Sequence, residues 1–413
     1  MRPIRIAIVG LPLLLTGLFF LAEPGALATT AFFPLRNMMS QLTGVLAIGL
    51  MSVAMILALR PRWLEPWLGG LDKMYRLHKW LGIAALVLSI THWLWAQGPK
   101  WAGALGLLTR PARGARPILT NPVEIALAGW RGFAEGIGQW AFYAAVLLIV
   151  VALVKRIPYR FFQKTHVLLA GAYLVLVFHA VVLFKFAYWA TPLGIVTGAL
   201  MAYGAYAAIV LLTRQAGRGR KVEGRVEATH YFSPLRVLET WITLPAGWPG
   251  HKAGQFAFVR AGVDDGPHPY TMASAWDAGA TRVRFITKEL GDHTGTLRAR
   301  LTPGASVTVE GPYGCFTFDD DRPRQIWIGG GIGITPFVAR LTHLAAERAA
   351  GRGSNQIVDL YHTTADVDAE ALARLRRDAE AAGVRLHILI DAQDGLLTGE
   401  RIRAEVPDWR EAS

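Results

Sequence analysis

The chain has 413 residues, 53% of them hydrophobic, with 43 Lys and Arg against 30 Asp and Glu and a single cysteine, Cys315. It is longer than one ordinary domain and too apolar to be wholly soluble, so part of it belongs in lipid. One cysteine excludes a four-cysteine iron-sulfur cluster, a Cys-x-x-Cys-His haem attachment, a cysteine zinc site and an internal disulfide. The net charge of +13 gathers beside apolar segments, with no basic stripe of interleaved aromatics, which argues against nucleic acid as a partner.

Six segments are long enough, or nearly so, to cross a hydrocarbon core of about 30 Å: Ile4 to Ala22, Met38 to Leu59, Tyr75 to Ala96, Gly138 to Val154, Phe161 to Phe184 and Pro192 to Leu212. Arg2 and Arg5 open the first, and Arg60, Arg62, Lys73 and Arg76 fall between or beside the second and third. Lys155, Arg156 and Arg160 fall between the fourth and fifth, and Arg214, Arg218, Arg220 and Lys221 follow the sixth. Simple alternation puts all of them on one side, which the positive-inside rule makes cytoplasmic, so both termini are expected there. The first segment also fits a signal sequence cut at Ala26-Leu27-Ala28, which would leave five helices in the same orientation. The connector from Gln97 to Ile137 carries Arg110, Arg113, Arg116 and Arg131 on the expected outer face. It reads as an interfacial amphipathic stretch around Val123 to Ala134, or as a place where arginines pair with cofactor carboxylates or attract an anionic acceptor.

The first 229 residues hold four histidines: His78 and His92 on the third segment, His166 and His179 on the fifth. Ionisable side chains in a membrane face a pathway or a cofactor. Spacings of 14 and 13 residues set two levels about 20 Å apart at 1.5 Å per residue. Both segments run from cytoplasm outward, which pairs His78 with His166 at the inner level and His92 with His179 at the outer. Two neutral imidazoles on facing helices suit the axial positions of a haem iron. On an ideal helix 14 positions return to within about 40° of the starting face, whereas 13 leave the side chains about 140° apart, so the fifth helix must overwind, bend or approach off-centre.

From Val222 to Asp320 the pattern is short, alternating and turn-rich: Arg225 to Thr229, Val237 to Leu244, Phe256 to Arg260, Thr281 to Thr287 and Ser306 to Glu310. It predicts a small antiparallel β-barrel. Strands at Gln325 to Gly329, Ile357 to His362 and Val384 to Asp391 then alternate with helices at Phe337 to Ala350 and Asp368 to Ala382, a doubly wound α/β layout. The first of these strands ends in Gly329-Gly330-Gly331-Ile332-Gly333-Ile334-Thr335-Pro336 before a helix, a turn whose backbone can approach a diphosphate beside a positive helix start. Upstream, His268-Pro269-Tyr270-Thr271 offers an aromatic and a hydroxyl to a flavin ring, and Lys288-Glu289-Leu290-Gly291-Asp292-His293-Thr294 a lysine and a threonine to a diphosphate.

Together these residues resemble the NADPH oxidase and ferric reductase superfamily, a six-helix dihaem membrane domain fused to a ferredoxin-NADP reductase-like dehydrogenase module. The resemblance implies three regions: 1–215, an all-α transmembrane dihaem domain; 222–320, an antiparallel β-barrel FAD domain; and 325–413, an NAD(P)-binding α/β domain. It implies two haem b held by His78, His92, His166 and His179, and FAD held by His268, Pro269, Tyr270, Thr271, Lys288 and Thr294, with Tyr270 where the family has Phe. Gly329, Gly330, Gly331, Gly333, Thr335 and Pro336 match the loop for NADPH or NADH, while His362-Thr363-Thr364-Ala365 lacks an arginine for a 2'-phosphate. The chain stops at Ser413, before the Cys-Gly-Pro strand and final helix of the family, so this α/β domain is expected to be truncated. The implied protein of a bacterial inner membrane passes electrons from cytosolic nicotinamide nucleotide to dioxygen, giving superoxide, or to a ferric chelate outside. Alternative readings are an electron-supply subunit for a partner protein or quinone, and a dihaem sensor without turnover.

Overall fold

The computed structural model describes residues 2–25, 31–109, 118–154, 156–262, 266–276, 279, 281–353 and 355–413. Ala26-Leu27-Ala28, Arg110, Arg113, Arg116 and Lys155 lie outside the described residues, as do the side chains of Arg2 and Arg160. Two compact units result, Met1–Ala216 and Gly217–Ser413, the second holding both the antiparallel and the α/β regions.

The first unit is helical: α1 (Arg2–Ala22), α2 (Phe32–Ala58), the short α3 (Glu65–Leu68), α4 (Leu71–Ala104), α5 (Pro122–Leu153), α6 (Tyr159–His166), α7 (Leu168–Leu183) and α8 (Pro192–Leu212). Among the described residues six spans are long and apolar enough to cross a membrane, α6 and α7 together forming the fifth. Leu13, Trp140, Leu147, Ile195 and Tyr203 stand exposed on them, a surface that suits lipid and would be an association hazard in water. Inside, a hydrogen bond of 2.8 Å between Ser52 and Tyr173 hydroxyls joins α2 to α7 among Ile48, Ala170, Met201 and Ala208.

The second and third spans are longer than expected, Phe32–Ala58 and Leu71–Ala104, and two others differ for local reasons. Val123 to Ala134 is no separate interfacial stretch but the start of α5, whose 32 residues extend for about 48 Å. The Asn121 side chain accepts from the Val123 and Glu124 amides, and Pro122 in the first turn needs no amide partner, so the helix begins well before the apolar run. In the fifth span the turn tightens at Val167, immediately after His166, while the backbone stays helical at φ −63° and ψ −27°. Ala170 N donates to Val167 O at 3.1 Å, an i→i+3 bond that tightens the turn.

The second unit opens with β1 (Lys221–Phe232), β2 (Val237–Thr243), β3 (Phe256–Arg260), β4 (His268–Thr271), β5 (Arg282–Lys288), α9 (Asp292–Arg300) and β6 (Ser306–Tyr313). The strands form one antiparallel sheet in the order β4-β3-β6-β1-β2-β5 over a core that includes Val226, Ile242, Val259, Phe285 and Val309. Its edges meet through the isolated bridge Met272–Phe285 and the Ala273 N to Arg284 O bond of 2.7 Å, so the expected barrel is not fully closed. The short β4 contains Pro269, which has no amide to give to a ladder and belongs at an edge.

The chain continues through β7 (Arg324–Gly330), α10 (Thr335–Ala349), β8 (Ile357–Thr364), α11 (Ala369–Ala382), β9 (Arg385–Ile390), α12 (Asp391–Asp394) and α13 (Gly399–Glu405). β7, β8 and β9 are parallel neighbours in that order. Phe337 and Leu341 of α10 and Leu375 and Ala379 of α11 pack on Trp327 and Leu360, while Ile402 of α13 packs on Ile326, Tyr361 and Leu389. Alternate residues of a strand point to opposite faces, so helices cover both sides. Ala412 forms a parallel bridge to Arg324. The chain thus leaves β7 in one direction and returns on its other side, the doubly wound reversal at which such sheets bind ligands.

Candidate functional site

The four histidines form two facing couples. His78 and His166 ring centroids are 5.9 Å apart with planes at 67°; those of His92 and His179 are 6.4 Å apart at 88°. Two metal-nitrogen bonds of about 2 Å each, plus half a ring at either end, need about this separation. A carbonyl can only accept, so a ring nitrogen bonded to one is the N–H. His78 Nδ1 donates to Ala54 O (2.9 Å), His92 Nδ1 to Ser40 O (2.9 Å) and His179 Nδ1 to Ala134 O (2.8 Å). Each Nε2 keeps its lone pair for a ligand bond. His166 Nδ1 is buried without a hydrogen-bond partner among the described residues.

The His92–His179 couple has a repeated seat that sequence reasoning missed. Ser40 and Gly44 of α2 serve His92, and Ala134 and Gly138 of α5 serve His179, in each case a carbonyl and, one turn on, a glycine against the ring. A Cβ at Gly44 would lie 3.2 Å from His92 Cε1, and one at Gly138 would overlap the His179 ring. The usable signal was a helix-interior glycine, a costly residue that asks for a packing reason.

A cavity of about 1190 Å³ surrounds this couple, with Trp93, Arg131, Phe142 and Met201 also on its wall. Ser40 Oγ, Ser89 Oγ, Trp93 Nε1 and Thr197 Oγ1 line it, are buried and have no hydrogen-bond partner among the described residues, which suits contents that carry polar groups. Among the described residues no group of three or more His, Cys, Asp or Glu converges. A metal at either level would therefore draw two imidazoles from the chain and its other ligands from a non-protein group, the donor set of a bis-histidine haem. The residues fit that group.

In the second unit His268 and Tyr270 on β4 meet His293 on α9. The two imidazoles stack with centroids 3.4 Å apart, and Tyr270 Oη lies 2.8 Å from His293 Nε2. Sequence reasoning misses His293, although it directly precedes Thr294. Thr271 pairs with Phe256 at the end of the edge ladder. The Thr294 hydroxyl accepts from the Leu290 and Gly291 amides at 2.8 and 3.1 Å and closes the first turn of α9. Lys288 Nζ lies 2.6 Å from Asp366, beyond the end of β8.

Gly329 and Gly330 end β7, Gly331 turns the chain at φ +49°, Gly333 lies in the following 3-10 turn, and Thr335 and Pro336 open α10. Thr335 Oγ1 donates to Ile332 O at 2.8 Å. His362 Nδ1 donates to Gly329 O at 2.8 Å, and burial pushes its imidazole below the ordinary pKa, so the loop is braced by a neutral ring. Gly331, Ile332, His362, Thr364, Asp366 and Lys288 line a cleft of about 120 Å³ at the carboxyl ends of β7 and β8. Across it Arg374 grips both oxygens of Glu239 at 3.0 and 3.2 Å. The cleft is smaller than the usual 300–1000 Å³ of ligand pockets.

Residues 43–177 match the family described as ferric reductase like transmembrane component, a stretch that contains His78, His92 and His166 and stops just before His179. An NADPH oxidoreductase of Mycobacterium tuberculosis is 37% identical over 210 residues, 46% of this chain and 52% of the relative. A superoxide-generating NADPH oxidase heavy chain of Dictyostelium discoideum is 25% identical over 271 residues, 60% of this chain and 48% of the relative. The Amycolatopsis cytochrome P450 reductase GcoB aligns at 23% identity and a TM-score of 0.39, over 47% of this chain and 60% of that one. The chain spans about half the length of the two curated relatives. Among the described residues the chain thus has six helices long and apolar enough to cross a membrane, and residues 43–177 within them resemble a ferric reductase like transmembrane component.

Proposed function

We propose that this protein is a transmembrane oxidoreductase that takes electrons from NADPH or NADH in the cytoplasm and delivers them to an acceptor at the outer face, dioxygen or a chelated ferric ion. The pairing of its four membrane histidines into two facing couples carries the reading. FAD and two haem b, when bound, supply the conversion of a two-electron donor into one-electron transfers.

The chain's own residues divide the work. His78 with His166 and His92 with His179 would hold the two irons, and the Ala54, Ser40 and Ala134 carbonyls fix three of the four rings. A haem held by two imidazoles at each level would be suited to electron transfer rather than to binding oxygen at the metal. Tyr270, held by His293, offers its ring to the flavin. Gly331 and the start of α10 receive the nucleotide diphosphate, and the neutral His362 keeps the loop in place without adding charge. Arg60, Arg62, Lys73 and Arg76, together with Arg214, Arg218 and Arg220, favour the orientation with both termini inside.

Purified protein is expected to show a six-coordinate low-spin haem spectrum with about two haems per chain. His92→Ala or His179→Ala should each remove one haem and abolish acceptor reduction. A spectrum unchanged when all four histidines are replaced refutes the assignment. Rates of superoxide formation and ferric-chelate reduction, in aerobic and anaerobic buffer, identify the acceptor.

A further inference from the structure

Gly330 and Thr363 are partners in the β7–β8 ladder, so the glycine loop and the segment after β8 leave the sheet side by side into one cleft. In a doubly wound sheet a dinucleotide lies across these strand ends with its diphosphate at the first helix start. An acidic residue there bonds the ribose 2'-hydroxyl of NAD, whereas an arginine accommodates the 2'-phosphate of NADP. The segment here is Thr364-Ala365-Asp366-Val367-Asp368-Ala369-Glu370, with three carboxylates and no cation.

The cations on the cleft wall are already matched. Lys288 pairs with Asp366 at 2.6 Å, and Arg374 with both oxygens of Glu239. Arg284 donates twice to Ala273 O, at 3.1 and 2.8 Å, and stands 3.9 Å from Glu239. Asp368 accepts from Ala371 N at 2.9 Å and already answers the positive start of α11. A phosphate ester brings close to two further negative charges at pH 7. At this strand end a 2'-phosphate faces Asp366 and Asp368 with no unmatched cation among the described residues lining the cleft. A ribose hydroxyl can instead donate to the same carboxylates.

We propose that the cleft selects NADH over NADPH, with Asp366 as the selecting residue. The inference rests on the reading of this cleft as the nucleotide site. Asp366 is exposed, so its replacement leaves the core untouched. In Asp366→Asn the carboxylate charge is lost and the Lys288 ammonium is released towards any phosphate.

The test titrates full-length protein in detergent with NADH and with NADPH, reading the binding constant by nucleotide fluorescence and flavin reduction by anaerobic stopped flow. Wild type should favour NADH by about tenfold or more, the scale of one charge-assisted hydrogen bond. Asp366→Asn should shrink that ratio by about tenfold, chiefly through tighter NADPH binding, and Asp366→Glu should restore it. Equal or tighter NADPH binding in wild type overturns the inference while leaving the nucleotide site standing, and so does a ratio unchanged in Asp366→Asn. Binding of neither nucleotide overturns the site reading and this inference with it.

Discussion

Gly138 on α5 faces His179 on α7 so closely that a Cβ at position 138 would overlap the imidazole. Gly138→Val must displace the ring from its seat, and on the function proposed above the expected result is loss of about one of two haems with the other retained. Gly44→Ala is milder, because its Cβ would sit 3.2 Å from His92 Cε1 and a shift of a few tenths of an ångström relieves it. The haem-to-protein ratio and the low-spin absorption of both variants check this graded pair.

Tyr270→Phe should leave flavin bound, since the ring remains and only the bond to His293 is lost, a change of about 1 kcal/mol. Tyr270→Ala removes the ring and should release flavin. Flavin content after gel filtration separates the two outcomes, and equal flavin in both would show that Tyr270 does not touch the isoalloxazine.

Glu239, on β2, is buried and answers two guanidinium groups. Burial presses the Arg284 guanidinium below its usual pKa, and Glu239 opposes that. Glu239→Gln leaves Arg284 buried without its counter-charge and weakens the grip on Arg374, a loss of about 3–5 kcal/mol. The denaturant midpoint of the full chain, followed by tryptophan fluorescence, should fall accordingly.

His251 is buried, accepts from Trp248 Nε1 and donates to Ser274 O, and burial lowers its pKa from 6.5 to about 4. The folded state therefore binds this proton less readily than the unfolded state. Its contribution is complete above pH 6.5 and is lost as the pH falls towards about 4. The scale is on the order of 3 kcal/mol. Unfolding midpoints measured across that interval should drop in wild type and drop less in His251→Gln.

Much of the architecture was legible because its signals are periodic and local. The sixth span has the expected bounds, and the His pairs follow from helix direction alone. The beginning of α5 was hidden because Asn121 and Pro122 set it by capping, outside the apolar run that marks a span. β4 was hard to delimit because four residues containing Pro269 carry no alternation. The nearly closed sheet, the His268–His293 stack and the Lys288–Asp366 pair depend on contacts between distant positions, which no window of sequence contains.

On α4 a single helix carries both His78 and His92. Opposite it a tightened turn at Val167, still in the helical region at φ −63° and ψ −27°, lies between His166 and His179. A tighter turn overwinds the helix and shifts the angular register of residues on either side of it, which on an ideal helix would leave side chains 13 positions apart about 140° from each other. On the function proposed above, each haem would be gripped by one helix of regular register and by one whose register is adjusted at this turn.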